Sequence, residues 1–371
     1  MQKALASTKN GQLTTKNKPS ITVVIGESGS GKSFWTREAI DSDSKHKSVR
    51  VNRDSIRAML HQNSGSMEKH VISMEKDSIE YFISKGYSVF VDDTNLREAT
   101  VTRWRELADS LQVEFKTHRM ETPLDECISN DCKRIGDQHV GRAVIERQFL
   151  DSGRLKLPEN QKIVIVDVDG TVANHEGHRG PFDEHMVIFD RPYKVVVDWV
   201  RRLALGEETC RNSYCTHSIL DHDYLRGGCQ HENEHGMSDC RCHEFYKPEH
   251  STEERYTILV VSGRHSSCGD ETVRWFDQHR IPFHHIFMRH SFDNRKDTIV
   301  KQEILDSILK LVPKEQIAFV IDDRPAVCAM WKQNGLTVYP VRGTTDHTSN
   351  CPNIGAKFKG NCEHCGALAD F

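Results

Sequence analysis

Long apolar runs are missing from this chain: none of its 371 residues lies in a stretch apolar enough to span a bilayer. Nor does it open with a basic segment followed by an apolar core, so no secretory leader is expected. A surplus of positive charge is lacking too. Lys and Arg number 50 against 54 Asp and Glu, a formal net charge of −4. Any contact with nucleic acid must therefore come from a local basic groove, not from a global field. These absences predict a soluble, cytoplasmic protein with no membrane partner. What is plentiful is histidine and cysteine, at 21 and 12 residues. In a reducing compartment such cysteines bind metal or stay free more often than they form disulfides.

The length suits two or three domains, each with its own core. Residues 1–20 are polar and read as a flexible tail. ITVVIG (21–26) is a continuous apolar run with β-branched residues, as expected of a strand buried on both faces. A Gly-rich turn follows, then helical patterns at 67–85 and 101–111 and strands at 87–93 and 113–120. Polar SGRLKLPENQ (152–161) reads as a linker, after which the rhythm restarts with KIVIVD, TILVVSG and QIAFVID. Alternating strand and helix implies parallel sheets, with ligands beyond the carboxyl ends of the strands. The expected fold is α/β: two doubly wound parallel-sheet domains in series, at 21–151 and 162–342.

Gly26-Glu-Ser-Gly29-Ser-Gly31-Lys32-Ser33 completes G-x-x-x-x-G-K-[ST] between an expected strand and helix, the context that motif needs. Gly26, Gly29 and Gly31 let backbone N–H groups converge on phosphate oxygens. Lys32 would reach the β- and γ-phosphates and Ser33 would ligate Mg²⁺. The implied ligand is ATP or another NTP. A P-loop does not name the acceptor. Asp54, in VNRDSIR, is a carboxylate beyond a strand end that can accept a hydroxyl proton, with Arg57 one turn away. An N-cap aspartate beside a solvent arginine reads that spacing equally well.

GESGSGKSFW, NRDSIR and DTNL, followed by CKRIG, resemble the kinase module of the phage-type polynucleotide 5′-kinase/3′-phosphatase family. The resemblance implies that Asp54 is the general base for a 5′-hydroxyl and that Arg57 holds the acceptor's end phosphate. It also implies that Asp93, Thr94 and Asn95 place the acceptor strand. Arg134, on a lid, would neutralise charge on the transferred phosphoryl. One departure is Asn130, where family lids usually carry another arginine; Lys133 or Arg142 could substitute.

Asp167-Val-Asp169-Gly170-Thr171, directly after a buried run, resembles motif I of the haloacid-dehalogenase (HAD) phosphatase superfamily. At a strand end Asp167 can attack phosphorus, and Asp169, pointing the same way, can protonate the leaving alkoxide. Mg²⁺ on Asp167, Asp169, Asp322 and Asp323 would draw carboxylate and phosphate together. Ser262 in VVSGR would hydrogen-bond the phosphoryl, and Lys296 in NRKD would stabilise nucleophile and phosphate. Singly, each could be a capping serine or a surface lysine; in this order they favour catalysis. Arg179, Arg264 and Arg324 match arginines that the phage-type enzymes place round their phosphatase pocket. That implies a 3′-phosphate or 2′,3′-cyclic phosphate on a DNA or RNA end; a nucleic-acid ligase in the same pathway is a candidate partner that the sequence itself does not decide. The resemblance also implies an intracellular setting, in a host if the chain is phage-encoded.

The resemblance runs over roughly 20–205 and 255–342 and leaves 206–255 as a Cys/His-rich insertion. There Cys210, Cys215, Cys229, Cys240 and Cys242 stand among histidines, and the tail 343–371 adds Cys351 and Cys362-x-x-Cys365. With few large apolar residues, neither stretch builds a core unaided, and a structural Zn²⁺ would supply the missing folding energy. A His-rich loop with free thiols is the plain alternative. Two rival functions stand beside end repair: a kinase–phosphatase of small metabolites, and a non-catalytic nucleic-acid end binder. Retention of every catalytic position disfavours the second.

Overall fold

The computed structural model describes residues 18–60, 67–175, 179, 183–205, 255–291 and 293–341, and the chain divides into two compact units, 1–123 and 124–371. The tail before residue 18 and the cysteines expected to hold zinc (Cys210, Cys215, Cys229, Cys240, Cys242, Cys351, Cys362 and Cys365) lie outside the described residues.

The first unit holds strands β1 (Ser20–Ile25), β2 (Ser48–Val51), β3 (Ser88–Val91) and β4 (Glu114–Arg119), with helices α1 (Lys32–Asp41), α2 (Arg53–Leu60), α3 (Glu68–Ser84) and α4 (Glu98–Ser110). All paired strands run parallel, in the order β2–β3–β1–β4. β1 is central and buried throughout, as its unbroken apolar run requires. α3 turns Val71, Glu75, Ile79 and Ile83 inward at helical spacing, and Trp104 of α4 packs with Ile21, Val23 and Val91. With every strand pointing one way, the loops after β1, β2 and β3 gather at the same edge of the sheet.

The second unit begins with α5 (Leu124–Asp131) and α6 (Arg142–Asp151), then β5 (Ile163–Val166), a short antiparallel pair β6 (Ala173–Asn174) and β7 (Arg191–Pro192), and α7 (Lys194–Leu205). It continues through β8 (Thr257–His265), α8 (Gly269–Gln278), β9 (His285–Arg289), α9 (Asp297–Ile308), β10 (Ile317–Asp322), α10 (Pro325–Gln333) and β11 (Val338–Pro340). Five parallel strands run β11–β10–β5–β8–β9. Ile163 and Ile165 of β5 belong to one apolar cluster, Val164 and Val166 to the other. The sheet is thus covered on both faces, as the doubly wound reading expects.

α5 and α6, on the first-domain side of the boundary read from sequence, give Cys127, Ile145, Phe149 and Leu150 to the core of this second unit. Leu155, in the stretch read as a linker, joins them at 4% exposure. Among the described residues no helix is long and apolar enough to cross a membrane.

Candidate active sites

In the first unit, the loop after β1 is shaped by glycine. Gly29 and Gly31 adopt φ +79° and +88°, a region that side chains resist. A Cβ on Gly26 would lie 2.7 Å from Ser30 Oγ and 2.9 Å from Met120 Cβ. Lys32 Nζ donates to the Glu27 carbonyl at 2.8 Å, which holds the ammonium against the loop. Gly26 N donates to the Thr94 carbonyl at 3.0 Å, tying this loop to the one after β3. Asn95, at φ +49°, gives its buried amide to the carbonyls of Val24, Val91 and Asp93.

Asp93 Oδ1 accepts from the Arg53 backbone at 3.1 Å and from Asn52 Nδ2 at 3.3 Å, fixing the start of α2. Burial, with the Glu75 carboxyl beside it, pushes Asp93 up to about 8. On the first turn of α2, Asp54 is 81% exposed and accepts from Arg57 Nη1; Arg57 Nη2 and Nε hold Glu68 at 2.8 and 3.1 Å. Just past β3, buried Asp92 accepts from Arg50 Nε, while Arg50 Nη2 lies 3.4 Å from Ser33 Oγ. A P-loop hydroxyl and a carboxylate at a neighbouring strand end are the donor pair that P-loop proteins use for Mg²⁺.

In the second unit Asp167 follows β5. Gly170 stands at φ +79°, and a Cβ there would lie 2.1 Å from Asp323 Oδ2, so only glycine fits. Asp167, Asp322 and Asp323 each bring an oxygen within 4.8 Å of the others. Lys301 on α9 is wholly buried and reaches Asp167 Oδ1 at 2.8 Å and Asp322 Oδ2 at 2.9 Å. Burial pushes Asp167 well above the usual carboxylate range against the pull of Lys301, and burial with Asp322 lifts Asp323 to about 6. The single charge of Lys301 does not match three clustered carboxylates. Asp323 Oδ1 is also buried without a hydrogen-bond partner among the described residues. Hard oxygen donors with surplus negative charge fit Mg²⁺.

The Asp169 carboxylate stands outside that cluster. Arg264 Nε and Nη2 hold its two oxygens at 3.0 and 2.8 Å, and Arg179 Nη2 adds a third bond at 2.8 Å. Burial alone would raise Asp169, but the two guanidinium groups outweigh it and hold the carboxyl at about 2. Buried Asp190 grips both arginines from behind, taking Arg179 Nε and Nη2 at 2.7 Å each and also Arg264 Nη2. Ser262, fully buried, accepts from the Arg264 backbone at 3.2 Å. Arg324 Nη1 binds Asp297 Oδ2 at 2.9 Å, and Arg289 takes the other oxygen at 2.8 Å. On the segment between α5 and α6, Arg134 Nη1 lies 3.3 Å from both Asp131 Oδ1 and the Gln138 carbonyl.

Residues 161–216 and 238–345 match the family model described as the polynucleotide kinase PNKP phosphatase domain, and 21–152 match the AAA domain model. The second domain is a PNKP-type phosphatase domain. The first is an AAA-type P-loop domain. The chain is also similar, at 26% identity over 329 residues, to a protein of Autographa californica nuclear polyhedrosis virus whose name gives it a bifunctional polynucleotide kinase/RNA ligase role. That match covers 84% of this chain but 40% of the viral protein. A chain of the solved Pnkp1/Rnl/Hen1 RNA repair complex aligns over 90% of this chain and 98% of its own length, at 20% identity and TM-score 0.34. The Mycobacterium tuberculosis APS kinase CysC aligns over 31% of this chain and 70% of its own, at 20% identity and TM-score 0.27.

Within the PNKP-type domain, two sequence expectations need correction. Lys296 caps α9 and is exposed; the lysine that pairs with Asp167 is Lys301, further along the same helix. Asp169 was expected on the metal, yet its carboxylate is committed to Arg179 and Arg264. Reasoning from sequence also missed Asp190 and Asp297. For Lys301 a signal existed: it interrupts the stripe Val300, Ile304, Leu305, Ile308 that α9 buries, and a lysine on such a face needs a carboxylate partner. Lys301→Met should therefore cut phosphatase activity by ~100-fold or more, whereas Lys296→Met stays near the wild-type rate. Steady-state hydrolysis by the two variants side by side checks this, and equal losses would contradict it.

Proposed function

We propose that this chain heals nucleic-acid ends, transferring the NTP γ-phosphate to a polynucleotide 5′-hydroxyl and hydrolysing a terminal 3′-phosphate or 2′,3′-cyclic phosphate. The observation that carries the reading is a P-loop whose neighbouring strand ends present Asp54 and Asp92, in one chain with a PNKP-type domain holding the Asp167–Lys301–Asp322 cluster. The chain spans 40% of the length of the curated relative it matches, so that relative's full activity is not transferred with the name.

In the kinase reaction, Lys32 and the loop N–H groups hold the β- and γ-phosphates, and Arg57 holds the acceptor's end phosphate. Asp54 takes the hydroxyl proton as the 5′-oxygen attacks phosphorus. Asp93, Thr94 and Asn95 keep rigid the loop along which the acceptor strand lies. In the phosphatase reaction, Asp167 attacks the 3′-phosphate, the 3′-oxygen leaves with a proton from Asp169, and water then cleaves the aspartyl-phosphate with Asp169 as base. Ser262 and Lys301 hold the phosphoryl oxygens. Arg179, Arg264 and Arg324 bind the phosphate-bearing end, and drawing Arg179 and Arg264 toward substrate frees Asp169 to take up its proton. Ser33 and Asp92 Oδ1 in one site, with Asp92 Oδ2 kept by Arg50, and Asp167, Asp322 and Asp323 in the other, would hold Mg²⁺, which would supply neutralising charge to phosphate oxygens.

A nucleic-acid ligase is the natural partner, since healed ends are ligase substrates. A structural zinc on the cysteines of 206–255 and the tail belongs to this reading on sequence pattern alone. The deciding experiment offers ATP, Mg²⁺ and an oligonucleotide with 5′-hydroxyl and 3′-phosphate ends. Both ends should change, and a nucleoside 3′-monophosphate should be used ~10-fold less efficiently or worse. Preference for small phosphorylated metabolites over the oligonucleotide would favour the rival kinase–phosphatase.

A further inference from the structure

Between the nucleotide loop and the acceptor helix lies an arginine that no motif accounts for. Arg50, in β2, spreads its guanidinium three ways. Nε donates to Asp92 Oδ2 just past β3, Nη2 lies 3.4 Å from Ser33 Oγ of the P-loop, and Nη1 lies 3.5 Å from Ser55 Oγ, next to Asp54. The three partners thus stand on the sheet, on the donor side and on the acceptor side. Asp92 is fully buried, and its Oδ1 has no hydrogen-bond partner among the described residues, whereas the Arg50 side chain is 25% exposed. The head group is therefore anchored from the sheet by a buried carboxylate while the side chain keeps some exposure to solvent. Contacts of 3.4 and 3.5 Å are too long to be strong hydrogen bonds. The two Nη groups are close to donor and acceptor but firmly committed to neither.

We propose that Arg50 is a catalytic residue of the 5′-kinase reaction, its Nη groups taking up oxygens of the γ-phosphoryl in transit. This rests on the kinase reading given above. In that step the bond from the 5′-oxygen to the γ-phosphorus forms, and the bond from phosphorus to the β,γ-bridging oxygen breaks. The electron pair leaves on the nucleoside diphosphate and the hydroxyl proton goes to Asp54. Arg50 exchanges no proton. It supplies a fixed positive charge in a planar fork that matches two phosphoryl oxygens. Its pairing with Asp92 holds the fork in place before substrate arrives, so little rearrangement is needed as charge develops.

A merely structural Arg50 would neutralise Asp92 and do nothing more, and kinetics separate the two roles. The full chain, Arg50→Ala and Arg50→Lys are compared at varied ATP with a 5′-hydroxyl oligonucleotide, with 3′-phosphatase activity measured in the same preparations. Arg50→Ala should lose ~100-fold or more in kcat while its KM for ATP moves by less than ~5-fold. Arg50→Lys, with the charge but not the fork, should recover under about a tenth of the wild-type kcat. Added guanidinium ion should restore part of the rate to Arg50→Ala, and phosphatase activity should be unchanged in both. Wild-type kcat in Arg50→Ala, full activity in Arg50→Lys, or a change confined to KM without rescue overturns the proposal. If the wild-type chain itself phosphorylates no 5′-hydroxyl, the kinase reading fails and takes this inference with it; an active wild type with an equally active Arg50→Ala sinks only the inference.

Discussion

Asp167→Asn is expected to abolish 3′-phosphatase activity, by ~10⁴-fold or more, while the 5′-kinase runs at its wild-type rate. The amide is nearly the same size as the carboxylate, so the pocket between β5 and α9 keeps its packing. It cannot form a mixed anhydride with phosphate, so the covalent route closes outright. Stability should not suffer. Asp167 sits almost wholly buried beside Asp322 and Asp323, and burial disfavours its charge. Removing one of the clustered negative charges relieves repulsion, and Lys301 retains Asp322 at 2.9 Å as its partner. Both activities are measured on one preparation, with opposite ends of one oligonucleotide as substrates. A folded variant that loses kinase and phosphatase together would mean that the chemistry is not divided between two sites. A variant that keeps its phosphatase rate would remove Asp167 from the nucleophile's role.

Much of this architecture could be read from local pattern because its signals are local. β5 is four consecutive buried apolar residues, and such a run identifies itself. The G-x-x-x-x-G-K-S and D-x-D-G-T segments carry their own turn chemistry, with glycines at positive φ where the chain bends. What escaped reading depends on distance along the chain. α5 and α6 follow directly on the first sheet in sequence, yet their apolar faces are spent on the second, and an amphipathic stripe does not say which sheet it will cover. Asp190 is an ordinary acidic residue before Arg-Pro until the fold brings Arg179 and Arg264 onto it.

Lys296 and Lys301 show the same limit at finer scale. Both are lysines near the start of α9, and proximity to the NRKD turn favoured the first. Only the direction of the helix decides which ammonium points under the sheet toward Asp167. The periodicity of Val300, Ile304 and Ile308 held that information, because a lysine adjacent to Val300 on the buried face cannot reach water. Ion-pair wiring is less legible still. Nothing in D-x-D-G-T says that the second carboxylate will be held by two guanidinium groups, and that pairing determines its charge state.

Asp54→Ala is expected to lower the 5′-kinase rate by ~10³–10⁴-fold with nucleotide binding intact and the phosphatase untouched. The geometry favours a clean result. Asp54 is 81% exposed on the first turn of α2, and its bond is to Arg57, which is separately held by three bonds to Glu68 at 2.8, 3.0 and 3.1 Å. Truncation orphans no buried group and leaves Arg57 in place, so the stability change should stay under ~1 kcal/mol, as for other exposed ion pairs. Asp54 lies on α2, outside the G-x-x-x-x-G-K-S segment that holds the phosphates, so affinity for ATP should hold. Near-wild-type rate in Asp54→Asn, which can still accept from Arg57 but cannot take a proton, would assign Asp54 to holding Arg57, not to proton transfer. Retention of the full rate would leave the acceptor half of the first site without its base.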